Sequence, residues 1–117
     1  MIRFDSEGAQ KELVEEILNE WFSYKKTILD AHEQRLTNTK NAMIHSIELY
    51  EKLLTQVSLT NEFHVNELKQ YEVLPLNGEE RYSFIIGKPD NYAAYCQLDE
   101  LFEETRKRIA RLRIKNK

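Results

Sequence analysis

Apolar residues recur at three- and four-residue steps near the start of the chain: Leu13, Val14, Ile17, Leu18, Trp21, Tyr24, Ile28 and Leu29. Glu12, Glu15, Glu16, Asn19, Glu20, Ser23 and Lys26 fill the other side. This pattern predicts an amphipathic helix from about residue 8 to the low thirties. A second stripe follows at Met43, Ile47, Tyr50, Leu54 and Val57, with Glu48 and Lys52 spaced for an i,i+4 pair on its outer side. No Gly or Pro separates the stripes. Unbroken, they would form a rod of roughly 70 Å, too long for a compact monomer of this size. A turn is therefore expected near Leu36-Thr37-Asn38-Thr39, where small polar side chains compete for backbone hydrogen bonds. The two helices, roughly 8–34 and 39–57, then make an antiparallel hairpin. The alternative is one long helix paired with a partner chain.

Residues 58–76 give a weaker signal. Ser58, Thr60 and Asn61 punctuate the end of the second helix, and Phe63, Val65, Leu68 and Tyr71 suit one or two helical turns or irregular packing. Pro75 biases Leu74 towards an extended conformation. Asn77 followed by Glu80 predicts a capping-box-like helix start, with Glu79 and Glu80 at the favourable end of the helix dipole. Tyr82, Ile85 and Ile86 form the short apolar face of that helix. Gly87 is expected to end it in a left-handed conformation, and Pro89 to block continuation. Asp90 is placed to cap a last helix whose face carries Tyr92, Tyr95, Leu98, Phe102, Thr105, Ile109 and Leu112. The fold class expected is all-α: a small bundle built from an N-terminal helical hairpin, a short helix and a long C-terminal helix.

Composition narrows the class further. A chain of 117 residues with 41% hydrophobic and 32% charged residues suits one globular domain. No apolar run approaches a bilayer span, and the first residues lack the charged-then-apolar order of a signal peptide. Cys96 has no second cysteine to pair with. These features together predict a cytoplasmic protein.

The net charge of −3 hides an asymmetry. Residues 1–104 hold all 20 acids and only 10 of the 17 Lys and Arg, whereas residues 105–117 hold seven cations and no acid. An acidic body thus carries a basic C-terminal end, where fraying is expected.

The stretch Pro75-Leu76-Asn77, Glu79-Glu80-Arg81 and Phe84-Ile85, followed by Pro89, Tyr92, Gln97-Leu98 and Leu101-Phe102, resembles the YpoC-like family of Firmicute bacteria. The resemblance covers roughly residues 74–103, with a looser echo upstream at Trp21-Phe22. It implies a small cytoplasmic helical protein and transfers no catalytic or binding residue.

The residues themselves offer few candidates for chemistry. The basic end, through Arg106, Lys107, Arg108, Arg111, Arg113 and Lys115, could meet nucleic acid or an acidic partner, with salt-dependent affinity. The plainer reading is a helix C-terminus that favours cations, with Glu103–Lys107 and Glu104–Arg108 as i,i+4 pairs. Nucleic acid is therefore possible but not favoured. A helix-turn-helix over 78–90 and the following helix would present Asp90, Asp99, Glu100, Glu103 and Glu104, which DNA would repel. His45 and Glu48 lie at i,i+3 on a helix, while His64 stands in the irregular segment, so no metal is expected. Cys96 beside the apolar stripe reads as a buried thiol. Gly8, Gly78 and Gly87 are too scattered for a phosphate loop. Adjacent carboxylates such as Glu79-Glu80 point apart on a helix and make no acid/base dyad. Trp21 and Phe22 are about 100° apart on their helix, so one must be more peripheral and is a candidate protein interface.

The expectation is a non-catalytic protein-interaction or accessory factor, without cofactor, metal or membrane partner. It would bind a protein partner and could form a homodimer. The alternative is a weak nucleic-acid-binding accessory factor that uses the basic end.

Overall fold

Helix α1, Lys11–Glu33, turns Val14, Ile17, Leu18, Trp21 and Ile28 inward. Its polar residues face outward, as the periodicity requires. The computed structural model describes residues 1–35 and 39–116. Arg35, with φ of 56°, takes the left-handed conformation that closes α1. Helix α2, Lys40–Gln56, buries Met43, Ile47, Tyr50 and Leu54 from the expected stripe, together with Ser46, Leu49 and Leu53. It runs back along α1, and near its end Gln56 Nε2 donates to Gly8 O at 3.0 Å. Most of the turn expected over 36–39 lies outside the described residues.

The chain then crosses the bundle through a 3-10 helix, Val65–Gln70, kinked at Glu67. Helices α3, Gly78–Gly87, and α4, Tyr92–Lys115, complete the fold. The chain is an all-α bundle.

Three helices meet at one aromatic cluster. Trp21 of α1 stacks on Phe102 of α4 with ring centroids 4.5 Å apart. Tyr50 of α2 meets Phe102 edge-on at 5.1 Å. The Tyr50 hydroxyl and Thr105 Oγ1 share a hydrogen bond of 2.8 Å, so neither buried group is orphaned. Ile109 and Leu112 carry the buried face of α4 almost to its end.

Local chemistry around α3 differs from the sequence expectation in three places. Asn77 does not cap through its side chain. It adopts the left-handed conformation (φ 58°), which Asn tolerates better than most residues. Pro75 O accepts from Gly78 N at 2.9 Å, closing a tight turn into α3. Gly87 is not left-handed, since no glycine has positive φ, and the chain leaves α3 through Lys88 at φ −145° and ψ 66°. Asn91, not Asp90, caps α4: its Oδ1 accepts from Ala93 N at 2.7 Å. Pro89 and the cap explain the break between α3 and α4 without a left-handed glycine.

Residues 1–5 lie as an extended strap that the periodicity does not reveal, followed by a turn over 6–9 in which Ala9 N donates to Asp5 O at 3.0 Å. Ile2 N donates to Gln70 O at 2.6 Å and Glu72 N returns a bond to Ile2 O at 2.9 Å. Asp5 N donates to Val57 O at 2.8 Å, and Leu59 N to Arg3 O at 2.8 Å. Phe4 N donates to the Glu72 carboxylate at 2.9 Å. Phe4 itself is buried. The strap thus ties the end of α2 to the segment beyond the 3-10 helix.

Two glycine substitutions test these assignments. A Cβ on Gly8 would lie 2.1 Å from Gln56 O, backbone that cannot rotate away. Gly8→Ala is expected to lower stability by about 1–3 kcal/mol. A Cβ on Gly87 meets nothing within 4 Å. Gly87→Ala is expected to be neutral or stabilising by about 0.5–1 kcal/mol, because a helical glycine without positive φ gains from the substitution. Urea melts of both variants decide, and clear destabilisation of Gly87→Ala would contradict the helical assignment.

Candidate interaction surfaces

The basic end of α4 is partly engaged by the fold. Arg108 Nε donates to Glu72 O and Arg113 Nε to Ala9 O, each at 2.6 Å. These two guanidiniums clamp the segment after the 3-10 helix and the start of the hairpin onto α4. Arg106 Nη2 donates to Glu103 at 2.6 Å. That hydrogen bond holds the Glu103 carboxyl below the usual carboxylate range. Lys107 Nζ is 4.0 Å from the same carboxylate. Arg111 and Lys115 make no ion pair among the described residues. Lys107, Arg111 and Lys115 are spaced at four-residue steps, so they share an outward stripe, which Ile114 joins at 73% exposure. The six cations singled out in the sequence therefore divide: Arg108 and Arg113 hold the bundle together, Arg106 pairs locally, and Lys107, Arg111 and Lys115 face outward.

Trp21 and Phe22 divide as their 100° separation requires. Trp21 is 1% exposed at the centre of the core, and Phe22 is 51% exposed on the flank of α1. Phe22 shares that flank with half-buried Leu29, seven residues on. Lys25, near them, reaches across to Asp99 of α4 at 2.9 Å.

A second apolar surface spans α2 and α3. Ile44 and Ile86 border a cleft of about 490 Å³ that Ile47, Gly87 and Pro89 also line, with the charged groups of Lys40, Glu48 and Glu51 around it. Ile86 also lines a neighbouring cleft with Val65, Leu68 and Tyr82. Ile44, Ile86 and Val65 are each more than one-third exposed. Ile86 belongs to the apolar face expected of the short helix, yet only Tyr82 and Ile85 of that face are buried. The sequence signal for this surface was weak: Ile44 is an apolar residue one position off its helix's buried stripe.

Beneath this surface the Tyr82 hydroxyl donates to the Glu51 carboxylate. Burial, reinforced by that bond, pushes the Tyr82 phenol above its usual range. Arg81 joins α3 to α4. It meets Glu104 at 3.1 and 2.7 Å, and also contacts Gln97, Glu100 and Leu76 O. The histidines pack against neighbouring side chains, and the buried Nε2 of His32 has no hydrogen-bond partner among the described residues. His32 lies edge-on to Tyr92 at 5.3 Å, His45 stacks on Tyr24 at 6.1 Å, and His64 bonds Thr60 Oγ1 at 2.8 Å. Cys96 is half-buried. Among the described residues, no three His, Cys, Asp or Glu side chains converge as metal ligands.

Comparison with known proteins places this architecture. The family pattern described as YpoC-like protein matches residues 11–117. The chain belongs to the YpoC-like family. The match includes the α1–α2 hairpin and the basic end of α4, well beyond the roughly 74–103 segment of the sequence resemblance. The chain is also similar to a protein of Bacillus subtilis (strain 168) named YpoC and described as uncharacterized, at 39% identity over 49 residues. That alignment covers 42% of this chain and 30% of the Bacillus protein, so the chain spans well under two-thirds of that relative. No solved structure matches.

The Arg81 junction gives a pH test. Its hydrogen bond to Glu104 holds that carboxyl below the usual carboxylate range. The folded state therefore binds this proton less tightly than the unfolded chain. The resulting stability is present above the unfolded value, near pH 4.3, and is lost as pH falls through the lower folded value. Urea midpoints of the native chain and of Arg81→Gln, measured at pH 7 and near pH 3, are expected to converge on acidification. A constant gap would show that Arg81 acts only through its packing and neutral hydrogen bonds. Glu104 is 45% exposed, so solvent screening keeps the electrostatic share small.

Proposed function

We propose that the chain is a non-catalytic protein-interaction or accessory factor acting in the cytoplasm. The observation that carries this reading is the exposed apolar surface of Ile44, Ile86 and Val65 across α2, α3 and the 3-10 helix. Exposed apolar side chains that adjoin one another on a well-packed body mark a contact site more often than scattered single ones do. Phe22, on the flank of α1, is a separate, aromatic anchor of the kind interfaces favour. Among the described residues no helix is long and apolar enough to cross a membrane.

The alternative, weak binding to nucleic acid, draws on the outward stripe of Lys107, Arg111 and Lys115. Deleting residues beyond Glu104 is a poor test, because it removes buried Thr105, Ile109 and Leu112. Charge reversal at the three outward cations keeps the core intact.

Two measurements separate these readings. A photo-crosslinking phenylalanine analogue placed at Phe22 or Ile86 in cells is expected to give discrete protein adducts. The same analogue at exposed Asn19 is expected to give none. Equal yields at all three positions would remove the interaction reading. In fluorescence anisotropy at 50 and 200 mM salt, the intact chain is expected not to bind duplex or single-stranded DNA or RNA. Binding with a logarithmic salt slope of about −2 to −3, lost in Lys107→Glu/Arg111→Glu/Lys115→Glu, would put the nucleic-acid reading first.

A further inference from the structure

The two ends of the bundle differ in chemistry. His32 meets Tyr92 at one end, while Arg113 reaches Ala9 at the other, so α1 and α4 are antiparallel. Gln56 bonds Gly8, which puts the end of α2 beside the start of the hairpin. The beginning of α2, with Lys40 and Ile44, therefore lies at the His32–Tyr92 end. The cleft between Ile44 and Ile86 opens near that end, whereas the outward stripe of α4 finishes at the opposite end of a molecule 46 Å long. A chain cannot place its own stripe in its own cleft.

We propose that the last two turns of α4 from one copy dock in the α2–α3 cleft of a second copy. This rests on the protein-interaction reading and names a second copy of the chain as the partner. Ile114, 73% exposed, is the apolar anchor and enters between Ile44 and Ile86. Arg111 and Lys115 flank it and meet Glu48 and Glu51 at the rim. Glu48 is the better ion-pair partner, because it is exposed and Glu51 already accepts the Tyr82 hydroxyl. Lys40 shares the rim, so the incoming cations approach from the Glu48 side. The charge asymmetry supports this pairing: the body is acidic and the cations outside it are concentrated on α4. The contact joins unlike surfaces, so a docked pair leaves one cleft and one stripe free for further copies. A patch of this size makes a weak, transient contact.

Sedimentation velocity from about 10 μM to 1 mM tests it, the range in which weak contacts of this kind form. The weight-average mass of the native chain is expected to rise with concentration and to fall again at high salt. Ile86→Glu and Ile114→Glu alter exposed side chains, and circular dichroism checks that each variant is folded. Each variant alone is expected to remain monomeric. Their equimolar mixture is expected to recover association that stops at two chains, because only one complementary pair of surfaces is intact. Combining Glu48→Lys with Arg111→Glu/Lys115→Glu is expected to restore association that Glu48→Lys alone weakens at least threefold. A native chain that stays monomeric throughout overturns the proposal. So does association that persists in both single variants, or a mixture that does not recover. Crosslinks from Phe22 or Ile86 to other proteins alongside a monomeric native chain would leave the interaction reading standing and remove only self-docking.

Discussion

The stack of Trp21 on Phe102, with Tyr50 edge-on and hydrogen-bonded to Thr105, is the contact on which the other packing depends. It takes one aromatic from each of α1, α2 and α4, all within the one buried core. Offset and edge-to-face arrangements of this kind contribute beyond the area they bury. The Tyr50–Thr105 bond adds directionality, because a rotated α4 would leave two buried hydroxyls without partners. Once α4 is set in rotation, Leu98, Ile109 and Leu112 must face inward, and Lys107, Arg111 and Lys115 must face out. The charged stripe is thus a consequence of the core.

The long elements were legible in the sequence because their apolar residues keep a helical period. Met43, Ile47, Tyr50 and Leu54 are buried as their spacing requires. The strap was not legible. Its bonds run mainly between backbone groups of Ile2, Arg3, Asp5, Val57, Leu59, Gln70 and Glu72, and backbone pairing leaves little trace in residue type. The ends of α3 were misread for a related reason. Asn favours both a side-chain cap and a left-handed backbone. The turn closed by Pro75 and Gly78 selects the second at Asn77.

The candidate surfaces were legible only in part. The sequence could say that one of the adjacent pair Trp21 and Phe22 is peripheral but could not choose, since both lie within a turn of the buried face. The choice is made by Phe102 and Tyr95, far along the chain, which accept Trp21. The Ile44–Ile86 surface is harder still. It is assembled from two helices separated by the 3-10 crossing, and neither helix alone carries a run of outward apolar residues.

The basic end shows why charge counts mislead at helix termini. Arg108 and Arg113 each send Nε to a backbone carbonyl while the side chain lies half-buried. An arginine suits this role, since its stem covers apolar surface and its planar fork donates in a fixed direction. A lysine ammonium is more strongly hydrated and gains less from a single carbonyl. The two lysines, Lys107 and Lys115, accordingly remain on the outward face, with Arg111 between them. Of the seven cations in this end, the six among the described residues are, in the fold, two structural arginines, one locally paired arginine and an outward stripe of three. What is left facing outward is three cations, Lys107, Arg111 and Lys115, beside the exposed Ile114.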